Sequence, residues 1–316
     1  MTGRYSEDEL IATLFAPLAG AAALGLKDDA ALLPPIGDPL AVTADMLVAG
    51  VHFFADDPPA LIAKKALRVN LSDLAAKAAT PLGFLLSIAL PPDWTNDWLA
   101  AFAQGLGEDA RVFHAPLLGG DTTATLGPLT IAITAFGAAP RFISRTGAQP
   151  GDGVYVSGTI GDAALGLRLR QDPVLGAALS TVEQEALLSR YLLPTPRLDL
   201  VDLLRAGASA AMDVSDGLTG DLAKLTRASG VSARVEVARM PLSAAGQALT
   251  AHAPALLEVA LTGGDDYEIL FTAHPGFMPP AGVVRIGEIV AGADAPSFIG
   301  WPGKPQKAVK LSYSHF

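Results

Sequence analysis

Leu40-Ala41-Val42-Thr43-Ala44-Asp45 reads as a buried strand that delivers an aspartate at its end. A second strand runs into Asp213-Val214-Ser215-Asp216-Gly217, with a helix from Asp216 to Ser229 behind it. Four more acidic stretches accompany these two: Lys27-Asp28-Asp29-Ala30, Asn70-Leu71-Ser72-Asp73, Gly119-Gly120-Asp121 and Gly263-Gly264-Asp265-Asp266-Tyr267-Glu268. An aspartate flanked by apolar residues or glycine is costly to desolvate, so it needs a cap, an ion pair or a cation. Lysine and arginine are too few nearby to pair with all of them. Hard divalent ions bridging carboxylates to phosphate oxygens meet that need, which points to a metal-assisted phosphate enzyme.

Each stretch also has an ordinary reading. Asp28-Asp29 suits a solvated turn, and Gly120-Asp121 a turn closed by an Asx hydrogen bond. Asp213 or Asp216 suits a cap for the following helix. Asp73, on a mostly apolar helix, suits a buried group satisfied by backbone. His52 suits a core histidine, and Arg145 in Ser144-Arg145-Thr146-Gly147 suits the surface, although a guanidinium there can clamp a phosphate. What favours one shared metal and phosphate site is the set, four of its six stretches sitting at predicted ends of buried strands or next to glycines that let backbone approach a ligand.

Composition narrows the partners. Half of the 316 residues are apolar and 17% are charged, with a net charge of −10. That balance disfavours nucleic acid and anionic membranes, which call for a basic face. No stretch approaches the roughly 20 apolar residues of a membrane span. The start, Met1-Thr2-Gly3-Arg4, lacks the pattern of a signal peptide, so a cytoplasmic protein is expected. With no cysteine, thiol nucleophiles and thiolate metal sites are excluded. Gly-x-x-x-x-Gly-Lys-Ser/Thr, Gly-x-Gly-x-x-Gly, Gly-x-Ser-x-Gly and His-Glu-x-x-His are all missing.

Element signals alternate between helix and strand. Ser6 and Glu9 form a capping box that opens a helix expected to end at Gly20. Asp57-Pro58-Pro59 starts a helix expected to reach Thr80. Strands are expected over 84–90, 129–136, 154–157, 267–272 and 283–289, and helices over 94–112, near Gly161-Asp162 and from Pro196. Pro140, Gly147, Pro150 and Gly151 interrupt any period. The reading is therefore a mixed α/β (α+β) chain of two domains, 1–138 and 150–316, joined by a linker over 139–149.

Together these segments resemble thiamine-monophosphate kinases, from the superfamily that holds aminoimidazole ribonucleotide synthetase and selenophosphate synthetase. The resemblance runs through Asp28 to Leu32, Asp45 to Phe53, Ala66 to Ala76, Leu118 to Thr123 and Ser144 to Gly147 with Pro150-Gly151-Asp152. It continues through Asp213 to Leu218, Gly263 to Glu268 and Tyr313-Ser314-His315-Phe316. It implies an aminoimidazole ribonucleotide synthetase-like fold, a homodimer formed through the first domain's sheet, and direct in-line transfer of the ATP γ-phosphoryl group to thiamine monophosphate.

By the same resemblance, Asp29, Thr43, Asp45, Asp73, Asp121, Asp213 and Asp216 hold magnesium ions. Gly120, Asp121, Arg145 and Ser215 meet ATP, and His52, Asp265 and Tyr313 line the thiamine monophosphate pocket. Asp45, Asp121, Asp213 and Arg145 are the residues expected to carry catalysis. Lys27 stands where the family usually has glycine, Ala44 where it has a hydroxyl residue and Asp265 where it has glutamate. The alternatives are an aminoimidazole ribonucleotide synthetase-like enzyme and a non-catalytic thiamine diphosphate or ATP binding protein.

Overall fold

Ser6 and Glu9 exchange the bonds of a capping box: the Ser6 N–H donates to the Glu9 carboxylate at 2.8 Å and the Glu9 N–H to Ser6 Oγ at 3.4 Å. The helix they open, α1 (Glu7–Leu10), does not continue to Gly20. It passes into a π-helical turn over Ile11–Phe15 and a 3-10 turn over Ala16–Leu18, where Pro17 has no N–H to extend an α ladder. This computed structural model describes residues 5–27, 30–34 and 37–302. Asp28, Asp29 and the terminal segment with Tyr313 therefore lie outside the described residues. The chain divides into two compact units, Met1–Leu74 with Ala79–Pro140, and Ala75–Ala78 with Arg141–Phe316.

The first unit is built from β1 (Leu40–Val48), α2 (Pro59–Ala76, its last two residues counted with the second unit), β2 (Thr80–Leu90), α3 (Asn96–Val112), β3 (Leu117–Ala124) and β4 (Thr130–Ala138). The strands form one sheet in the order β1-β4-β2-β3, with β2 and β3 parallel and the other neighbours antiparallel. Three expectations are corrected here. β1 does not stop at Asp45, because its two-residue alternation runs on through Met46-Leu47-Val48, so Asp45 lies inside the strand. α2 ends at Ala76 instead of Thr80: Ala78 takes a left-handed φ of 56°, and Thr80 already pairs with Ala138. Gly119-Gly120-Asp121 forms no turn and lies within β3.

On β1, Ala41 and Leu47 are buried, while Leu40, Val42 and Met46 are exposed. The inner face meets α2 through Asn70 and Asp73, and no residue of that helix is exposed. Arg68 on α2 grips Asp109 on α3 through two bonds of 2.5 and 3.0 Å, a bidentate pair at a well-buried site.

The second unit contains β5 (Gly153–Ser157), α4 (Asp162–Gln171), α5 (Thr181–Leu192), α6 (Val201–Gly207), β6 (Ala208–Asp213), α7 (Leu218–Ser229), β7 (Ser232–Glu236), α8 (Ala244–His252), α9 (Leu256–Thr262), β8 (Ile269–Ala273), β9 (Val283–Val290) and β10 (Ser297–Ile299). Its sheet runs β10-β7-β9-β5-β8-β6, with β10 and β7 parallel. Strands β5 and β8 are buried along their whole length because both faces are covered. Val154, Val156 and Leu270 pack with Leu218, Leu222 and Leu225 of α7. Tyr155 and Phe271 face the opposite way, toward Leu204 and the alanines Ala75, Ala76 and Ala78. The helix expected from Pro196 begins as a 3-10 turn at Leu198, and α7 starts at Leu218 instead of Asp216. Among the described residues no helix is long and apolar enough to cross a membrane.

Candidate active site

In the first unit, β1 and α2 bring Thr43, Asp45, Asn70 and Asp73 together. Thr43 Oγ1 donates to Asp73 Oδ2 in a short hydrogen bond. Asn70 is fully buried, and its amide is used at both ends: Nδ2 donates to the Ala66 carbonyl at 3.0 Å and Oδ1 accepts the Asp45 N–H at 3.1 Å. An edge strand presents backbone groups that its ladder does not satisfy, so Asn70 both completes β1 and fixes the backbone that carries Asp45.

His52 sits in the turn after β1. Its Nδ1 accepts the Val48 N–H at 3.0 Å, which places the ring proton of the neutral form on Nε2, and its carbonyl accepts from Lys65 at 3.1 Å. Lys27 has a φ of −109°, so a side chain in place of glycine is not strained there.

Asp121 is not brought to Asp45 within the sheet. The register aligns Asp45 with Ile133, Leu86 and Gly120, and the next row aligns Met46 with Ala132, Ser87 and Asp121. Three strand spacings separate the two edges, about 14 Å at the usual interval. Asp121 is exposed and shares its row with exposed Met46 and Ser87. Gly120 has a sheet-building role of its own: at φ 153°, a Cβ would stand 1.7 Å from the Leu86 carbonyl oxygen.

In the second unit, β6 ends on Asp213, which is 7% exposed. Neither Asp213 nor Asp216 caps α7, whose N-cap position is Gly217 without a side-chain bond. The loop is instead held from beneath by Asp221 of α7, a fully buried carboxylate that accepts the Ser215 N–H at 3.0 Å and the Asp216 N–H at 2.9 Å. Burial pushes the Asp221 carboxyl up, against the opposing pull of the Lys224 ammonium at 2.8 Å. Lys224 also forms an ion pair with Asp216.

The Gly263–Glu268 stretch runs alongside that loop. Asp265 donates its N–H to the Ser215 carbonyl at 2.9 Å, Tyr267 to Val214 at 2.9 Å, and Val214 donates to Glu268 at 2.8 Å. Asp265 and Tyr267 both have left-handed backbone, with φ of 72° and 52°, and conformations of this kind cost on the order of 1–3 kcal/mol each. Asp266 is buried and accepts the Gly161 and Ala163 N–H groups at 2.7 and 3.3 Å at the start of α4. Its burial raises the carboxyl well above the usual carboxylate range, although those two N–H bonds oppose the shift.

Arg145 lies exposed on a turn whose backbone is anchored by Ser229 Oγ donating to its carbonyl at 2.9 Å. Among the described residues, no group of three or more histidine, aspartate or glutamate side chains is gathered closely enough to hold a metal ion. The residues that frame the site, Asn70, Asp221 and Glu268, are not singled out by sequence. Asn70 and Glu268 lie inside recognised stretches, while Asp221 had only its place in the first turn of a helix to mark it.

Residues 27–139 match the AIR synthase related protein N-terminal domain, and residues 149–294 its C-terminal domain. The fold with its framed acidic loops is thus that of a two-domain AIR synthase related protein. The chain is 42% identical to the thiamine-monophosphate kinase of Caulobacter vibrioides, covering 98% of this chain and 91% of the relative. A crystal structure of thiamine-monophosphate kinase from Stenotrophomonas maltophilia superposes with a TM-score of 0.79 at 41% identity, over 87% of this chain and 90% of that one. AaThiL, solved in complex with AMPPCP and TMP, gives a TM-score of 0.81 at 30% identity over 100% of both chains. The chain belongs to the thiamine-monophosphate kinase family, and it is an enzyme of the kinase class.

Proposed function

We propose that this protein transfers the γ-phosphoryl group of ATP to thiamine monophosphate, giving thiamine diphosphate and ADP. The observation that carries this reading is full-length similarity to a relative solved with an ATP analogue and TMP. Transfer is direct and in line, with no phosphorylated side chain between donor and acceptor. The cytoplasm is its proposed setting.

The donor chemistry suits magnesium. Thr43, Asp45, Asp73, Asp213 and Asp216 offer hard oxygen atoms only, and the Thr43–Asp73 bond already holds two of them against each other. With Asp29 and Asp121, these residues would hold the ions, which when bound neutralise phosphate charge and orient the reacting groups. Arg145, Gly120 and Ser215 would meet ATP, and His52, through Nε2, would line the acceptor pocket with Asp265 and Tyr313. Positioning and preorganised charge supply most of the rate in such transfers. Asn70 and Asp221 serve it by fixing backbone, so that the carboxylates need not reorganise during the reaction.

The active form is proposed to be a homodimer. Leu40, Val42 and Met46 present an apolar strip on the open face of the first sheet, and strips of this kind mark association surfaces. Asp121 lies on the far edge of that sheet from Asp45, so a second copy would supply the Asp121 that completes the set. Incubation with ATP and magnesium, followed by chromatography, tests the reaction against thiamine monophosphate, thiamine and formylglycinamidine ribonucleotide. ADP and thiamine diphosphate are expected with the first alone. Ligand retention by calorimetry without ADP release would overturn the kinase reading.

A further inference from the structure

The segment 265–268 alternates in direction. Asp265 and Tyr267 are half-buried and paired, the Tyr267 hydroxyl donating to Asp265 Oδ1 at 3.2 Å, while Asp266 and Glu268 are buried at 1% and 3% exposure. Two buried carboxylates thus alternate with a pair of left-handed backbone positions at non-glycine residues, which ordinary local preference would not keep. Something must over-determine that conformation.

Glu268 has the partners to do so. Its Oε2 accepts Ser157 Oγ at 2.5 Å and Arg197 at 2.7 Å, and its Oε1 accepts Arg190 at 2.8 Å. Arg190 also donates to the Asp266 carbonyl at 3.2 Å, so one guanidinium holds both the anchor and the backbone next to Asp265. Arg190 reaches this position at a cost, since its Nε is buried with no hydrogen-bond acceptor among the described residues. The clamp also leaves no room beside it: a Cβ at Gly158 would lie 2.2 Å from Glu268 Oε1. Arg190 and Arg197 come from α5 and the segment after it, far in sequence from the loop they grip. None of these groups has a place in phosphoryl transfer as proposed above.

We infer that Glu268, clamped by Ser157, Arg190 and Arg197, is a positioning residue that fixes the backbone at Asp265 and Tyr267 and so aims the Asp265 carboxylate at the acceptor substrate. This rests on the reading of Asp265 as an acceptor contact, and the test separates the two. In the full-length enzyme, Glu268→Gln and Arg190→Met each raise KM for thiamine monophosphate about tenfold while KM for ATP stays within about twofold, because Ser215, though bonded by the Asp265 N–H, is also held by Asp221 independently of the clamp. Arg190→Lys, which keeps the charge, recovers part of the loss. Asp265→Ala alone raises the same KM, and adding Glu268→Gln to it causes little further change, since residues acting as one unit are not additive.

Equal rises in both KM values, or a full additional penalty in the double variant, would overturn the inference. If Asp265→Ala leaves KM for thiamine monophosphate unchanged, the contact reading falls. The clamp is then judged by amide hydrogen exchange over 263–268, where faster exchange in Glu268→Gln sustains the backbone role and unchanged exchange removes it. Should Glu268→Gln fail to fold, Arg190→Met, which keeps the Arg197 pair, carries the same measurements.

Discussion

The Thr43 hydroxyl donates to the Asp73 carboxylate across 30 residues of sequence, joining the inner face of β1 to α2. A carboxylate held by a neighbouring hydroxyl keeps its lone pairs in a fixed direction before any ion arrives. Thr43→Val removes that bond at nearly constant volume, and apparent magnesium affinity is expected to fall about tenfold, the lower range for losing an orienting partner. Titration of the activity with magnesium, alongside direct calorimetry of the ion, checks it.

Asp45→Asn and Asp213→Asn should each cut turnover about a hundredfold while changing unfolding free energy by less than about 1 kcal/mol. Urea unfolding and steady-state rates on the same preparations check the separation. Near wild-type rates with an unchanged magnesium requirement would remove these two residues from the ion-holding set.

If Asp45 and Asp121 of different copies serve one site, inactive Asp45→Asn and Asp121→Asn enzymes should complement each other. After random exchange of subunits, half of the dimers are mixed and half of their sites are intact, so about a quarter of full activity returns. Val42→Asp with Met46→Asp should abolish that recovery and give monomers in size-exclusion chromatography with light scattering. A monomer from the unaltered chain at micromolar concentration sinks the proposal.

Gly120→Ala is expected to destabilise the first unit by about 3 kcal/mol, because the added Cβ would meet the backbone of Leu86, not a side chain that can turn aside. Chemical denaturation measures the loss.

Asp266 supplies a pH signature. Burial makes its carboxyl hold the proton more tightly in the folded chain than in the unfolded one. Folding therefore takes up a proton between the ordinary carboxylate pKa and the raised one, and stability declines as pH climbs through that window. Asp266→Asn should flatten this part of the curve, as followed by thermal unfolding across pH.

What sequence revealed here was mostly local. The Ser6–Glu9 capping box could be read because its partners lie within one turn, and the Asp213 strand end because an apolar run stops at a carboxylate. Gly119-Gly120-Asp121 misled in part, since glycine signals turns, whereas at Gly120 it answers a demand from Leu86 in a neighbouring strand. Asn70, Asp221 and Glu268 escaped as framing residues for the same reason. Asn70 meets Asp45, Asp221 meets Ser215, and Glu268 meets Ser157 and two arginines, through contacts fixed only once the sheets form. Lys224 on α7 is a further case, the counter-charge for Asp216 and Asp221 through contacts that no local pattern marks.

The two-residue rhythm of β1 gives odd and even positions separate fates. Thr43 and Asp45 point one way with buried Ala41 and Leu47, and Leu40, Val42 and Met46 point the other. A single residue inserted ahead of Thr43 would exchange the faces together, carrying the Thr43 hydroxyl and the Asp45 carboxylate onto the apolar strip and a methionine toward α2. Substitutions in this strand can therefore be sorted by parity, but any change in its length would disturb chemistry and association in one stroke.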